Sequence, residues 1–264
     1  MEITEERLHR YARHIILDEV GEEGQIRLLQ SRVLVIGAGG LGSPVLMYLA
    51  AAGVGTLGII DDDEVDITNL QRQIAHTTAR VGTSKVDSAT ETIAALNPEV
   101  RVNGYKERLT GANARAIIAD YDLVADGSDN FTTRYLVNDA CFLERKPLVT
   151  AAMLRFEGQA TTIKAYEEGM PCYRCIFPSA PPPELAPRCE QAGIFGALAG
   201  VVGAMQATEV LKELLGLGTG LAGRLLLYDA IDVMMRTVNI PKNPDCPLCG
   251  THPTITDVSR PART

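Results

Sequence analysis

The sequence predicts an α/β fold: a Rossmann-like, doubly wound and mostly parallel sheet, with an antiparallel extension on its carboxyl side and a cysteine-held knuckle. Three observations predict it. Short apolar runs alternate with helical patterns as far as Ala152. A glycine-rich turn joins the first strand to a helix in "VLVIGAGGLGS". Beyond Ala152 the pattern changes to period-two strands, and two C-x-x-C pairs occur. Strand–helix–strand alternation implies right-handed crossovers between parallel strands, and such sheets bind ligands at the carboxyl ends of their strands.

In order, residues 4–30 read as two helical segments broken near Gly21 to Gly24, with Leu8, Tyr11, Ile15 and Ile16 at helical spacing and Glu5 and Glu6 near the positive end. Strands follow at 32–37, 56–61, 100–104, 122–126 and 147–151, and helices at 41–52, 84–96, 111–119 and 131–145. "GQATTIKAY" alternates as an antiparallel strand does. "MPCYRCIFPSAPPPELAPRCEQAG" is irregular and proline-rich, and irregular segments of this length usually serve a function or move. A helix over 193–215 and a strand pair in "RLLLYDAIDVMMRTVNI" complete a single domain over 1–250, and "THPTITDVSRPART" (251–264) reads as a disordered tail.

The chain has 264 residues, 46% of them apolar, enough for a sizeable core. Its net charge of −8 and lack of a basic run argue against nucleic acid and favour a basic protein face as partner. "AGIFGALAGVVGAMQA" (192–207) is shorter than the roughly 20 residues of a membrane span and reads as a buried helix. No secretory signal opens the sequence, so a cytoplasmic location and reduced cysteines are expected.

In the glycine turn, Gly37 allows a tight bend, Gly39 allows close approach to a phosphate and Gly42 allows helix–strand packing. Gly40 adds a further point of close approach, and the helix start supplies free N–H groups. Asp61 ends the next strand, where an acid can hold ribose hydroxyls. This pattern points to a nucleotide without choosing between NAD and ATP.

Arg72 and Lys85 bear on that choice. Hydride transfer develops no phosphate charge, whereas attack on an α-phosphate puts charge on its oxygens and on departing pyrophosphate. "DLVADGSDNFTTRYLVND" places Asp126 and Asp129 beyond the fourth strand, where a carboxylate suits Mg2+. Asp129 is also placed to cap the helix beginning near Phe131.

Cys172 and Cys175 form one C-x-x-C, and Cys246 and Cys249 another. Two such pairs far apart suit a closed, structural four-thiolate Zn2+ site. Cys141 lies in an apolar helical pattern and reads as core. Cys189 lies beside Arg188, which favours a thiolate, and Glu190, which opposes it. The four histidines pair with no nucleophile and read as structural or surface residues.

"GAGGLG", "DDDEVDITNLQRQ", "VGTSKVDSA", "DGSDNFTTRYLVND" and "GMPCYRC" together resemble the HesA/MoeB/ThiF family, relatives of ubiquitin-activating enzymes, from roughly residue 5 to Gly250. The resemblance implies ATP-dependent adenylation of the carboxyl-terminal glycine of a small ubiquitin-like sulfur carrier ending in Gly-Gly, as in molybdopterin, thiamine or thiolated-tRNA synthesis. It implies that Gly40 lines the nucleotide and that Asp61 holds the ribose. Thr68, Asn69, Leu70, Gln71 and Arg72 would surround the phosphates with Lys85, and Asp129 would bind Mg2+ beside Asn130. Arg13, in "LHRYARHIIL", would reach into the site of a partner subunit in a homodimer. Some relatives use a cysteine at the place of Cys189 in sulfur chemistry, and others adenylate without one.

The nucleotide-binding half would span about 31–152, and the carrier-binding and zinc half about 153–250. The carrier tail would thread beneath the 178–192 segment, read as mobile. No rhodanese-like domain follows Gly250, so a separate sulfurtransferase or cysteine desulfurase is the expected sulfur source. Two other readings stay open: an NAD-dependent oxidoreductase, and a non-catalytic relative that binds carrier or nucleotide.

Overall fold

The computed structural model describes residues 3–181 and 192–258. Eight strands form one sheet: β1 Arg32–Ile36, β2 Thr56–Ile60, β3 Arg101–Tyr105, β4 Leu123–Asp126, β5 Leu148–Leu154, β6 Glu157–Ile163, β7 Arg224–Asp229 and β8 Met234–Asn239. Their order is β3-β2-β1-β4-β5-β6-β7-β8. The first five are parallel, and β6, β7 and β8 add antiparallel in register. Val33 to Ile36 are all buried. A central parallel strand is covered on both faces, which is why it reads as an unbroken apolar run.

Helices α1 Glu5–Arg10, α2 Ala12–Ile15 and α3 Gly21–Gln30 precede the sheet. The expected break near Gly21 to Gly24 instead falls before Gly21, and both glycines lie inside α3. A Cβ on Gly24 would stand 3.0 Å from Val20 Cγ1 and 3.2 Å from a Leu215 methyl, so this glycine serves packing and interrupts nothing. The crossovers carry α4 Gly42–Ala52, α5 Lys85–Leu96, α6 Ala114–Ala119 and α7 Phe131–Leu143. A short α8, Tyr173–Ile176, follows β6.

The apolar run near 200 forms α9, Gly196–Leu215. It lies against α4 so closely that a Cβ on Gly203 would stand 2.3 Å from Pro44 Cγ. The buried Gln206 amide on α9 donates to the backbone carbonyls of Asp126 and Val149, both at 2.9 Å, tying α9 to the ends of β4 and β5. Among the described residues, no helix is long and apolar enough to cross a membrane.

Residues 251–258 depart from the expected disordered tail. Thr254 and Ile255 amides donate to the Pro247 carbonyl, and Val258 is buried among core side chains of α6, α7 and the cysteine knuckle. The knuckle turns the chain back onto that core, a non-local effect that composition does not carry.

Candidate active site

A cleft of about 150 Å³, partly open to solvent, lies at the carboxyl ends of β1, β2 and β4. This is the switch point of the sheet, where crossovers leave in opposite directions. The glycine turn forms one wall. Gly37 has φ +84°, and a Cβ on Gly42 would lie 1.8 Å from the Gly37 carbonyl oxygen, so turn and helix meet backbone to backbone. Among the described residues, the Gly39 and Gly40 amides have no acceptor.

Asp61 braces this wall. Its Oδ2 accepts from the Ala38 N–H at 2.7 Å and its Oδ1 from the Asp63 N–H at 2.8 Å. Burial raises its pKa above the ordinary 3.8, with the nearby Lys85 charge and the two amide donors acting against that rise. Lys85 is the first residue of α5, buried, with its ammonium 2.7 Å from Asp63 Oδ2. The Arg72 guanidinium donates to the Thr68 carbonyl at 3.1 Å, and its stem passes Gly40.

The start of α7 forms the opposite wall. Asn130 caps it, accepting from the Thr133 N–H at 2.9 Å, in place of the cap expected of Asp129. Asp129 is left exposed in the cleft lining, touched by the Asn130 amide at 3.4 Å. Asp126 is no open ligand. It is buried, accepting from the Ser128 N–H at 2.9 Å and the Thr150 hydroxyl at 3.0 Å, a partner that only the β4–β5 pairing supplies.

Of the residues singled out from the sequence, Gly40, Asp61, Arg72, Lys85, Asp129 and Asn130 line the cleft. Thr68, Asn69, Leu70 and Gln71 do not. The first two make a capping box with Asp66: the Thr68 N–H and hydroxyl donate to Asp66 Oδ1, and Asn69 Oδ1 accepts from the Asp66 N–H. Arg13 is exposed on α2 and lines no part of this chain's cleft. Cys189 lies outside the described residues.

A family model described as the ThiF family matches residues 11–248. The chain belongs to the ThiF family. It is 52% identical over 257 residues to the sulfur carrier protein adenylyltransferase of Thermus thermophilus, covering 96% of this chain and 95% of that one. It is 54% identical over 243 residues to the SAMP-activating enzyme E1 of Haloferax volcanii, covering 92% and 89%. Its fold is similar to that of E. coli MccB, with a TM-score of 0.80 at 21% identity over 92% of this chain and 75% of that one.

Sequence reasoning passed over several residues in the cleft of this ThiF-family chain. Arg134 is buried, donates to the Ser128 carbonyl at 2.7 Å, and lines the cleft beside Asn130. Its position four residues after Asn130 was a usable signal, since that spacing shares a helix face. Gln73, Ser128 and Arg134 each keep one buried side-chain atom without a hydrogen-bond partner among the described residues: Gln73 Oε1, Ser128 Oγ and Arg134 Nε. Unsatisfied buried polar atoms are costly, and these three belong to residues that line the cleft.

The four cysteines of the two C-x-x-C pairs meet, with no disulfide among them. Sulfur–sulfur distances are 3.9 Å for Cys172–Cys175, 3.5 Å for Cys172–Cys246 and 3.4 Å for Cys175–Cys249. Tetrahedral Zn2+ with bonds of about 2.3 Å sets its sulfurs roughly 3.8 Å apart, so the donor set fits that ion. The Asn243 N–H donates to Cys175 Sγ. The α8 end of the knuckle is gripped by α7: the Tyr173 N–H donates to Asn138 Oδ1 at 2.8 Å, and Arg174 pairs with Asp139 at 2.8 and 2.6 Å. Cys141 is fully buried, and burial pushes its thiol well above the ordinary range, leaving it inert.

Proposed function

We propose that this chain adenylates the carboxyl-terminal glycine of a small ubiquitin-like sulfur carrier at the expense of ATP. A carrier carboxylate oxygen attacks the α-phosphorus, the bond to the bridging oxygen breaks, and pyrophosphate leaves. The products are an acyl-adenylate and pyrophosphate. The carboxylate is already ionised at neutral pH, so the reaction requires no general base. The observation that carries this reading is the meeting of Arg72, Lys85 and Arg134 with Asp61 and Asp129 around a turn of unpaired amides. In this reading those cations would lie where charge grows on the phosphate oxygens and leaving pyrophosphate, and donors already in position need not reorganise. A nicotinamide dehydrogenase leaves Arg72 and Lys85 unexplained.

Asp129 would hold Mg2+, which neutralises phosphate charge when bound. The four cysteines would hold a closed Zn2+ that joins the carboxyl-terminal region to α8. Thr68, Asn69, Leu70 and Gln71 would approach the phosphates, Asp61 the ribose, and Arg13 the cleft of a second subunit. The carrier would end in Gly-Gly, enter along the carboxyl-side half of the chain and present a basic face to this acidic protein. A cytoplasmic location, a separate sulfurtransferase or desulfurase, and service to molybdopterin, thiamine or tRNA thiolation belong to the same reading, and Cys189 would not be needed for adenylation. Exchange of labelled pyrophosphate into ATP, stimulated by a Gly-Gly-ended carrier, tests the proposal. Tight NADH binding without such exchange would refute it.

A further inference from the structure

His76 follows the Arg72 loop and is 6% exposed. Its ring bridges two walls of the cleft. Nδ1 lies 2.9 Å from Ser88 Oγ on α5, one turn beyond Lys85, and Nε2 lies 2.8 Å from the Ala38 carbonyl oxygen. A carbonyl oxygen only accepts, so Nε2 carries the proton and Nδ1 accepts from the Ser88 hydroxyl. Burial lowers the imidazole pKa, opposed by the hydrogen bond to the Ala38 carbonyl and aided by the Lys85 and Arg80 charges, and so favours this neutral form.

The Ala38 C=O and the Gly39 N–H belong to one planar trans peptide, and they point in opposite directions. Holding that carbonyl against the imidazole turns the Gly39 N–H away from it. Gly39 lines the cleft, and its amide is one of the two without an acceptor. Without the imidazole donor, the Ala38 carbonyl becomes a buried acceptor lacking a partner. Rotation of the peptide would then swap the carbonyl into the cleft and the amide out of it.

We infer that His76 is a positioning residue: through the Ala38–Gly39 peptide it aims the Gly39 amide at a phosphate oxygen of ATP. The inference rests on the adenylation reading of the cleft. It also gives one ring control of both the glycine turn and the helix that begins at Lys85.

Calorimetric titration of ATP into the wild type, His76→Asn and His76→Gln tests it. Asparagine is too short to donate to Ala38, whereas the glutamine amide can reach the Nε2 position. ATP binding should weaken about tenfold in His76→Asn, the loss of one hydrogen bond, and largely recover in His76→Gln. In pyrophosphate exchange the KM for ATP should rise while kcat changes little. Equal affinity in His76→Asn and wild type, or equal losses in both variants, would overturn the inference. Should His76→Asn fail to fold, imidazole nitrogen chemical shifts of the wild type still decide, because an Nδ1–H tautomer is incompatible with the donor role. If the wild type itself binds no ATP, the reading of the cleft fails first and takes this inference with it.

Discussion

The Lys85 ammonium lies 2.7 Å from the Asp63 carboxylate, with the lysine buried and the aspartate open to solvent. An exposed carboxylate holds a cation weakly because water screens it. The lysine therefore remains available to a more highly charged anion in the cleft. Replacing Lys85 or Arg72 by alanine should slow carrier-dependent pyrophosphate exchange about a hundredfold or more while leaving the circular dichroism spectrum unchanged. Near-normal exchange in both variants would remove their assignment.

Gly40 and Gly42 should respond differently to alanine. A Cβ on Gly40 meets the mobile end of Met153 at 2.8 Å, so Gly40→Ala should fold and lose ATP affinity. A Cβ on Gly42 meets the Gly37 backbone oxygen at 1.8 Å, so Gly42→Ala should lose thermal stability. Thermal melts with and without ATP separate the two outcomes.

The Arg174–Asp139 pair is buried on both sides. Removing one partner leaves an uncompensated charge, and Asp139→Ala should cost about 3–5 kcal/mol in urea unfolding. A smaller loss than from an exposed pair such as Lys106–Asp87 would contradict this account.

One Zn2+ per chain is expected by elemental analysis. Cys246→Ser or prolonged chelation should lower the unfolding midpoint, because metal binding and folding share their free energy. A metal-free protein of undiminished stability would count against the site.

His76 also predicts a pH dependence. Its pKa is lowered in the folded chain from the ordinary 6.5, so the unfolded chain binds a proton that the folded chain resists. Its contribution to stability is complete above about pH 6.5 and falls as the pH drops toward the folded pKa. Urea unfolding between about pH 7.5 and 5 should show that decline, and His76→Gln should flatten it. An unchanged slope in His76→Gln would exclude the histidine as its source.

The sheet was legible because β1, β2 and β4 are buried on both faces and bounded by turn residues, so burial itself writes the pattern. The positions of Gly37 and of the four cysteines were legible because turn geometry and thiolate chemistry restrict residue type. What escaped depended on local backbone geometry in one case and on distant contacts in the others. The choice of Asn130 over Asp129 as cap turns on one residue of backbone geometry. Asp126 is occupied by Thr150 from a neighbouring strand. Gly24 looks like a helix breaker until Leu215 is beside it. His76 carries no motif, since both of its partners come from other segments.

Val258 has a consequence for handling the protein. Its side chain fills a socket among core residues after the last thiolate donor has passed. A recombinant boundary drawn at Gly250, where the recognisable motifs stop, would leave that socket facing water. Any fusion partner should therefore be joined downstream of residue 258.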